Sequence, residues 1–74
     1  MMKRTRFEIQ ADILKVAKHG ANKTHLVYGS YTNFVIINNY IKHLIESGLL
    51  IKDRKRYYTT EKGLKYIRKV KAIL

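Results

Sequence analysis

Apolar residues follow helical spacing through the first 48 residues, give way to two short β-rich runs up to residue 59, and then return to helical spacing. Ile9, Ile13, Val16 and Ala17 stand at i, i+4, i+7 and i+8, one stripe of an amphipathic helix, with Ala11 and Leu14 beside it. Thr5 followed by Glu8 has the spacing of a capping box, so the first helix starts there, and Gly20 offers it a left-handed stop. Asn22 can cap a second, short helix over Lys23 to Tyr28 with Leu26 and Val27 inward, before Gly29-Ser30 turns the chain. Thr32 or Asn33 caps a third helix, in which Phe34, Ile37, Ile41, Leu44 and Ile45 share a face and which Gly48 closes.

Leu49 to Lys52 and Arg56 to Thr59 read as two strands around Asp53-Arg54-Lys55, a basic hairpin tip without the glycine that would name its turn type. Thr60 caps a last helix, Glu61 to Leu74, with Glu61 near the positive end of the dipole and Gly63 available for close packing. A short helix and tight turn before a long amphipathic helix, then a hairpin and a further helix, give the order of a winged helix-turn-helix, mainly α with a two-stranded wing. The expected organisation is a winged helix-turn-helix domain over residues 1–60 and a C-terminal helix over 61–74 serving both the core and a dimer contact. A chain of 74 residues allows one domain, and at this size help from a partner subunit is a natural source of stability.

The charge pattern adds a partner class. Sixteen Lys and Arg against five Asp and Glu give a net charge of +11, distributed as +3 over residues 1–21, +1 over 22–50 and +7 over 51–74. A field of that strength favours a polyanion. The longest apolar run, Phe34 to Ile37, is far short of a membrane span, and the N-terminus lacks the apolar stretch of a secretory signal, so a soluble, cytoplasmic protein is expected. No cysteine is present, which excludes disulfides and thiolate metal sites. His19, His25 and His43 have no metal-ligand spacing, Ser30 has no neighbouring Asp-His arrangement, and no glycine-rich phosphate loop precedes a helix. The reading is a non-enzyme with no cofactor, no metal and no small-molecule ligand.

The stretches RTRFEIQADILKVAKHGANKTHLVY, YIKHLIESGLLIKD and YYTTEKGLKYI resemble the archaeal winged-helix proteins typified by the small basic "ten-a" DNA-binding proteins of Sulfolobus. The resemblance runs from about Arg4 to Ile73 and is carried most specifically by ADIL, by Lys23-Thr24 and by the TEKG after the hairpin. It implies a dimer that binds double-stranded DNA, joined by an antiparallel coiled coil of last helices. Two departures stand out. The last helix, ending at Leu74, is shorter, and the third helix begins Thr32-Asn33 with Val35 and Ile36 where family members commonly carry an apolar residue, Ser and then polar residues. The family's base preference therefore does not carry over.

On a helical wheel the core side of the third helix centres on Ile37, Ile41 and Leu44, leaving Thr32, Val35, Ile36, Asn39, Lys42, His43 and Glu46 outward. In a major groove Asn39 could pair with adenine, Thr32 and its neighbour Asn33 could reach a base or phosphate, and Val35 and Ile36 could touch thymine methyls. The plain alternative is a solvated Asn39 and apolar residues covering another element. Arg54, Lys55 and Arg56 suit phosphates at a wing tip or merely protect an edge strand, and Tyr58 alternates outward to a sugar or phosphate while Tyr57 turns inward. Lys23 and Thr24, with His25 near, could take a phosphate at the start of the second helix. Lys3, Arg4 and Arg6 form either a basic arm or a charged terminus. Tyr66, Val70, Ile73 and Leu74 are the expected dimer contact, with Leu64 and Ile67 on the chain's own core. The rival to DNA binding is a protein-interaction module using Val35 and Ile36 as its patch.

Overall fold

The capping box forms as its spacing requires. In the computed structural model, which describes residues 3–73, the Glu8 N–H donates to Thr5 Oγ1 at 3.1 Å and the Thr5 N–H to Glu8 Oε1 at 3.0 Å, opening α1 (Arg6–Val16). A single 3₁₀ turn (Ala17–His19) and Gly20 at φ +95° close it. Asn22 Oδ1 accepts the His25 N–H at 2.8 Å and starts α2 (Lys23–Gly29). Asn33, rather than Thr32, caps α3 (Phe34–Glu46), its Oδ1 accepting from Val35 and Ile36 N–H at 3.0 and 2.9 Å. Two antiparallel strands follow, β1 (Leu50–Asp53) and β2 (Arg56–Thr59), paired from Leu50↔Thr59 to Asp53↔Arg56, and then α4 (Glu61–Ile73).

The first strand begins one residue later than its sequence suggests. The Leu49 N–H donates to the Leu44 carbonyl at 2.9 Å, and its own carbonyl takes the Thr60 N–H at 3.1 Å, so both backbone groups serve helix ends and none is left for the ladder. The hairpin tip is two residues, Arg54 and Lys55, with Arg54 at φ +58° where such a turn normally carries glycine. A third segment joins the wing. Ala21 exchanges two backbone hydrogen bonds with Tyr57, at 3.0 and 2.7 Å, so the connection between α1 and α2 covers the outer edge of β2.

Ile13, Leu14, Leu26, Ile37, Leu44 and Leu50 are fully buried and draw all three N-terminal helices and the wing around one centre, which Ala17, Val27, Ile41, Tyr57 and Ile67 complete. Thr60 caps α4 and joins it to the end of α3: its Oγ1 donates to the Gly48 carbonyl at 2.7 Å and accepts the Gly63 N–H at 3.0 Å. Thr59 Oγ1 donates to the Leu14 carbonyl at 2.6 Å, so the end of the wing is tied to α1 as well.

The dimer face expected on α4 is partly used within the single chain. Val70 is only 7% exposed, and Tyr66 is half-buried with its hydroxyl donating to Gln10 Oε1 at 2.6 Å; Leu74 and the side chain of Ile73 lie outside the described residues. These two residues pack inward because α4 lies along α1, a pairing the helical wheel of α4 alone does not reveal. Burial pushes the Tyr66 phenol above its usual pKa, because the phenolate loses hydration there. A raised folded-state value contributes stability that is intact below the ordinary phenol value of about 10 and is lost as pH rises through the raised one. Tyr66→Phe, which leaves the buried Gln10 carbonyl oxygen without its donor, is expected to cost about 1–2 kcal/mol at neutral pH. Urea unfolding of both proteins should show that difference shrinking in strongly alkaline buffer.

Candidate nucleic-acid interface

The helix-turn-helix unit is α2, the turn through Ser30, Tyr31 and Thr32, and α3. The turn is built by the hydroxyls of Ser30, which its sequence places there, and of Thr32. Ser30, fully buried, gives its one proton to the Leu26 carbonyl, so Thr32 is the donor of the 3.0 Å bond between the two hydroxyls, with the Val27 carbonyl at 3.5 Å beside it. Thr32 is thus half-buried and turned into the chain rather than outward to a base, a correction that follows from its distance of two residues from Ser30. Asn33 likewise uses its acceptor oxygen as the α3 cap.

Arg4 holds the turn from outside. Its Nη1 donates to Asp12 Oδ2 at 2.8 Å and to the Ser30 carbonyl at 2.7 Å, and its Nη2 donates to the Tyr31 carbonyl at 3.0 Å. Arg4 is therefore a clamp between α1 and the turn, not part of a basic arm. Only a planar fork serves both carbonyls at once. Arg4→Ala is expected to lower stability by about 1–3 kcal/mol, read from the urea midpoint, and Arg4→Lys to recover little of it.

On α3 the outward face is open. Val35 is 78% and Ile36 41% exposed, and Asn39, Lys42, His43 and Glu46 are exposed with them. Asn38 is exposed too but turns its amide back to the Phe34 carbonyl at 3.0 Å. Asn39 and His43 line an open pocket of about 230 Å³ with Tyr40 and, from α1, Arg6 and Gln10. Arg6 thus adds a cation at the flank of α3, which no local sequence signal marks. Thr24 and His25 are exposed at the start of α2, and Lys23 is half-buried.

At the wing, Arg54, Lys55 and Arg56 are all exposed, and none forms an ion pair among the described residues. Arg56 directs Nη1 toward the Gly20 carbonyl at 3.4 Å, leaving its other donors free. Tyr58 is half-buried rather than outward. Its ring lies over Gly20, where a Cβ would come within 2.6 Å of Cε1, so the missing side chain of Gly20 makes room for it. Tyr57 is buried as its alternation implies, with Lys52 Nζ 5.7 Å from its ring centre.

Among the described residues no group of three or more His, Cys, Asp or Glu side chains is placed to hold a metal ion, and no helix is long and apolar enough to cross a membrane.

An open amphipathic helix after a clamped turn, next to a two-stranded wing, defines a winged helix-turn-helix protein. The chain belongs to that family, whose sequence model, described as winged helix-turn-helix, matches residues 3–74. The crystal structure of Sso10a-2, a DNA-binding protein from Sulfolobus solfataricus, matches it with a TM-score of 0.85 at 28% identity, over 95% of this chain and 78% of that one. An uncharacterized protein of Methanocaldococcus jannaschii is 33% identical over 64 residues, 85% of this chain; the chain spans 66% of that relative's length. The resemblance to archaeal winged-helix proteins of the Sulfolobus type therefore holds in both sequence and fold.

Proposed function

We propose that this protein binds double-stranded DNA, with the outer face of α3 in the major groove and the wing-tip cations on adjacent phosphates. The observation that carries the reading is the open face itself: Val35, Ile36, Asn39, Lys42 and His43 point to solvent from a helix whose other side is buried, in a chain of net charge +11. Its similarity to a DNA-binding protein of the same fold supports it. Arg54, Lys55 and Arg56 supply phosphate contacts, Asn39 is the side chain with the donor and acceptor pair that reads adenine, and Val35 and Ile36 meet thymine methyls. With apolar Val35 and Ile36 in the first turn of the groove side, affinity comes mainly from phosphates and base selectivity is modest, which suits an architectural chromatin protein as well as a transcription regulator.

Fluorescence anisotropy on duplex DNA over a range of salt concentrations tests the reading. With ~5 phosphates neutralised per domain, log K against log salt should fall with a slope near −4.5, and salt-indifferent binding would contradict it. The ratio of specific to random-competitor affinity separates regulator from architectural protein.

The finer reading is a homodimer through the C-terminal end of α4, supported by an apolar arc wider than the core requires. Within the single chain Val70 of that arc is buried and Tyr66 half-buried, while Leu74 and the side chain of Ile73 lie outside the described residues. Sedimentation equilibrium should return twice the 8.8 kDa chain mass; a single-chain mass at working concentration contradicts it. The exposure of Val35 favours a second reading, a protein-interaction module. Val35→Ser with Ile36→Ser would abolish partner binding by such a module, whereas a DNA binder keeps its phosphate-driven affinity.

A further inference from the structure

Four of the described residues take positive φ, and they divide by what they carry. Gly20 and Gly48 are at +95° and +77°, whereas Tyr31 and Arg54 are at +57° and +58°. An aromatic residue in the left-handed region is strained where glycine or asparagine would not be, and such strain persists only if surrounding bonds hold it. Around Tyr31 they do. Its carbonyl accepts Arg4 Nη2 at 3.0 Å, the preceding carbonyl accepts Arg4 Nη1 at 2.7 Å, the Thr32 N–H donates to Val27 at 3.0 Å, and the Ser30 and Thr32 hydroxyls close the turn from within. Yet the side chain so held packs on almost nothing: Tyr31 is 85% exposed.

Glycine at this position would spare the fold its strain, so the ring does something other than stabilise it. Tyr31 directly precedes the Thr32-Asn33 start of α3, and Tyr28, 70% exposed on the outer side of α2, stands one turn back toward Thr24. With Val35 they make three exposed, largely apolar side chains within eight residues of chain leading into α3, two of them tipped by a hydroxyl, in a strongly cationic chain. The wall of a DNA groove offers apolar deoxyribose faces and phosphates that accept hydrogen bonds. A tyrosine meets both at once.

We propose that Tyr31 is a DNA-contacting residue, its ring packed on deoxyribose at the edge of the major groove and its hydroxyl donating to a phosphate. The inference rests on the DNA-binding reading above, and its test separates the two. Anisotropy titrations on one duplex, at several salt concentrations, would compare the wild type with Tyr31→Gly and Tyr31→Phe, each accompanied by a thermal melt. Tyr31→Gly is expected to weaken binding about tenfold, equivalent to about 1.4 kcal/mol, without lowering the melting temperature. The salt slope should stay unchanged, because a tyrosine neutralises no phosphate. Tyr31→Phe should lose only the hydroxyl's share, a smaller drop.

Wild-type affinity in Tyr31→Gly overturns the proposal while leaving DNA binding intact. A flattened slope overturns it too, since that means cations have moved instead. A wild type that ignores duplex DNA removes the parent reading and this one with it. If the glycine variant melts early, Tyr31→Asn, which also tolerates the left-handed region, is held to the same outcomes.

Discussion

Neutralising the wing tip with Arg54→Gly, Lys55→Ser and Arg56→Ala is expected to lower duplex-DNA affinity by about 10²- to 10³-fold at about 0.1 M salt and to flatten the salt slope by about 2.7. The reason is electrostatic: three exposed cations with no ion-pair partner among the described residues each release about one counterion's worth of binding free energy. The fold should not suffer. Arg54 sits at φ +58° at the first position of a two-residue hairpin turn, the position glycine prefers, so the variant relieves strain while removing charge. A thermal melt beside the binding isotherms therefore separates lost contact from lost structure. An unchanged slope would mean that the tip stays off the phosphates, and a melting point lowered by several degrees would make the affinity loss uninformative about contact.

The second large effect is on stability. Gly63→Ala should destabilise the protein by about 2 kcal/mol, because the α4 backbone passes so close to the wing that a Cβ would collide with the Leu49 carbonyl oxygen and come within 2.5 Å of Thr59 Cγ2. The carbonyl cannot yield, since it also accepts the Thr60 N–H at 3.1 Å. Alanine's better helix propensity, about 1 kcal/mol over glycine, offsets only part of the clash. For a domain of this size the melting temperature should drop by about 8–16 °C, and a variant as stable as the wild type would show that α4 can slide away from Leu49. Gly48→Ala has a different origin: at φ +77° its neighbours leave space for a Cβ, so the cost is backbone strain alone and should be nearer 1 kcal/mol.

The helices were legible because their determinants lie within one or two turns. Thr5 with Glu8, Asn22, and the pair Thr32-Asn33 announce starts through bonds spanning two or three residues, and the spacing of Ile37, Ile41 and Leu44 defines the buried side of α3 without reference to any other element. Gly63 was readable as a close approach because glycine inside a helix has a cost that packing must justify. The outward set on α3 was legible for the same reason, but Phe34 and Ile45, read on the core face at its two ends, are 47% and 38% exposed because the neighbouring elements do not reach them. Where two neighbouring residues could serve one role, local spacing gave no choice. Thr32 and Asn33 were equal candidates for the cap until Ser30, buried two residues earlier, drew the Thr32 hydroxyl inward.

What local pattern left open depends on partners far along the chain. Arg4 is a clamp because residues 30 and 31 return to it, the ring of Tyr58 is half-buried because Gly20 offers a bare backbone, and Val70 turns inward because α4 lies along α1. Ala21 joins the wing through a bridge to Tyr57, 36 positions later, that no alternation in either segment signals. The charge total, the element order and the buried centre of α3 were therefore properties of the sequence alone, since charge is additive and helical periodicity is local. Tertiary structure alone decided which cations remain free for a polyanion and which are tied down, and which aromatic rings are left in solvent, because those outcomes depend on which distant backbone atoms arrive beside each side chain.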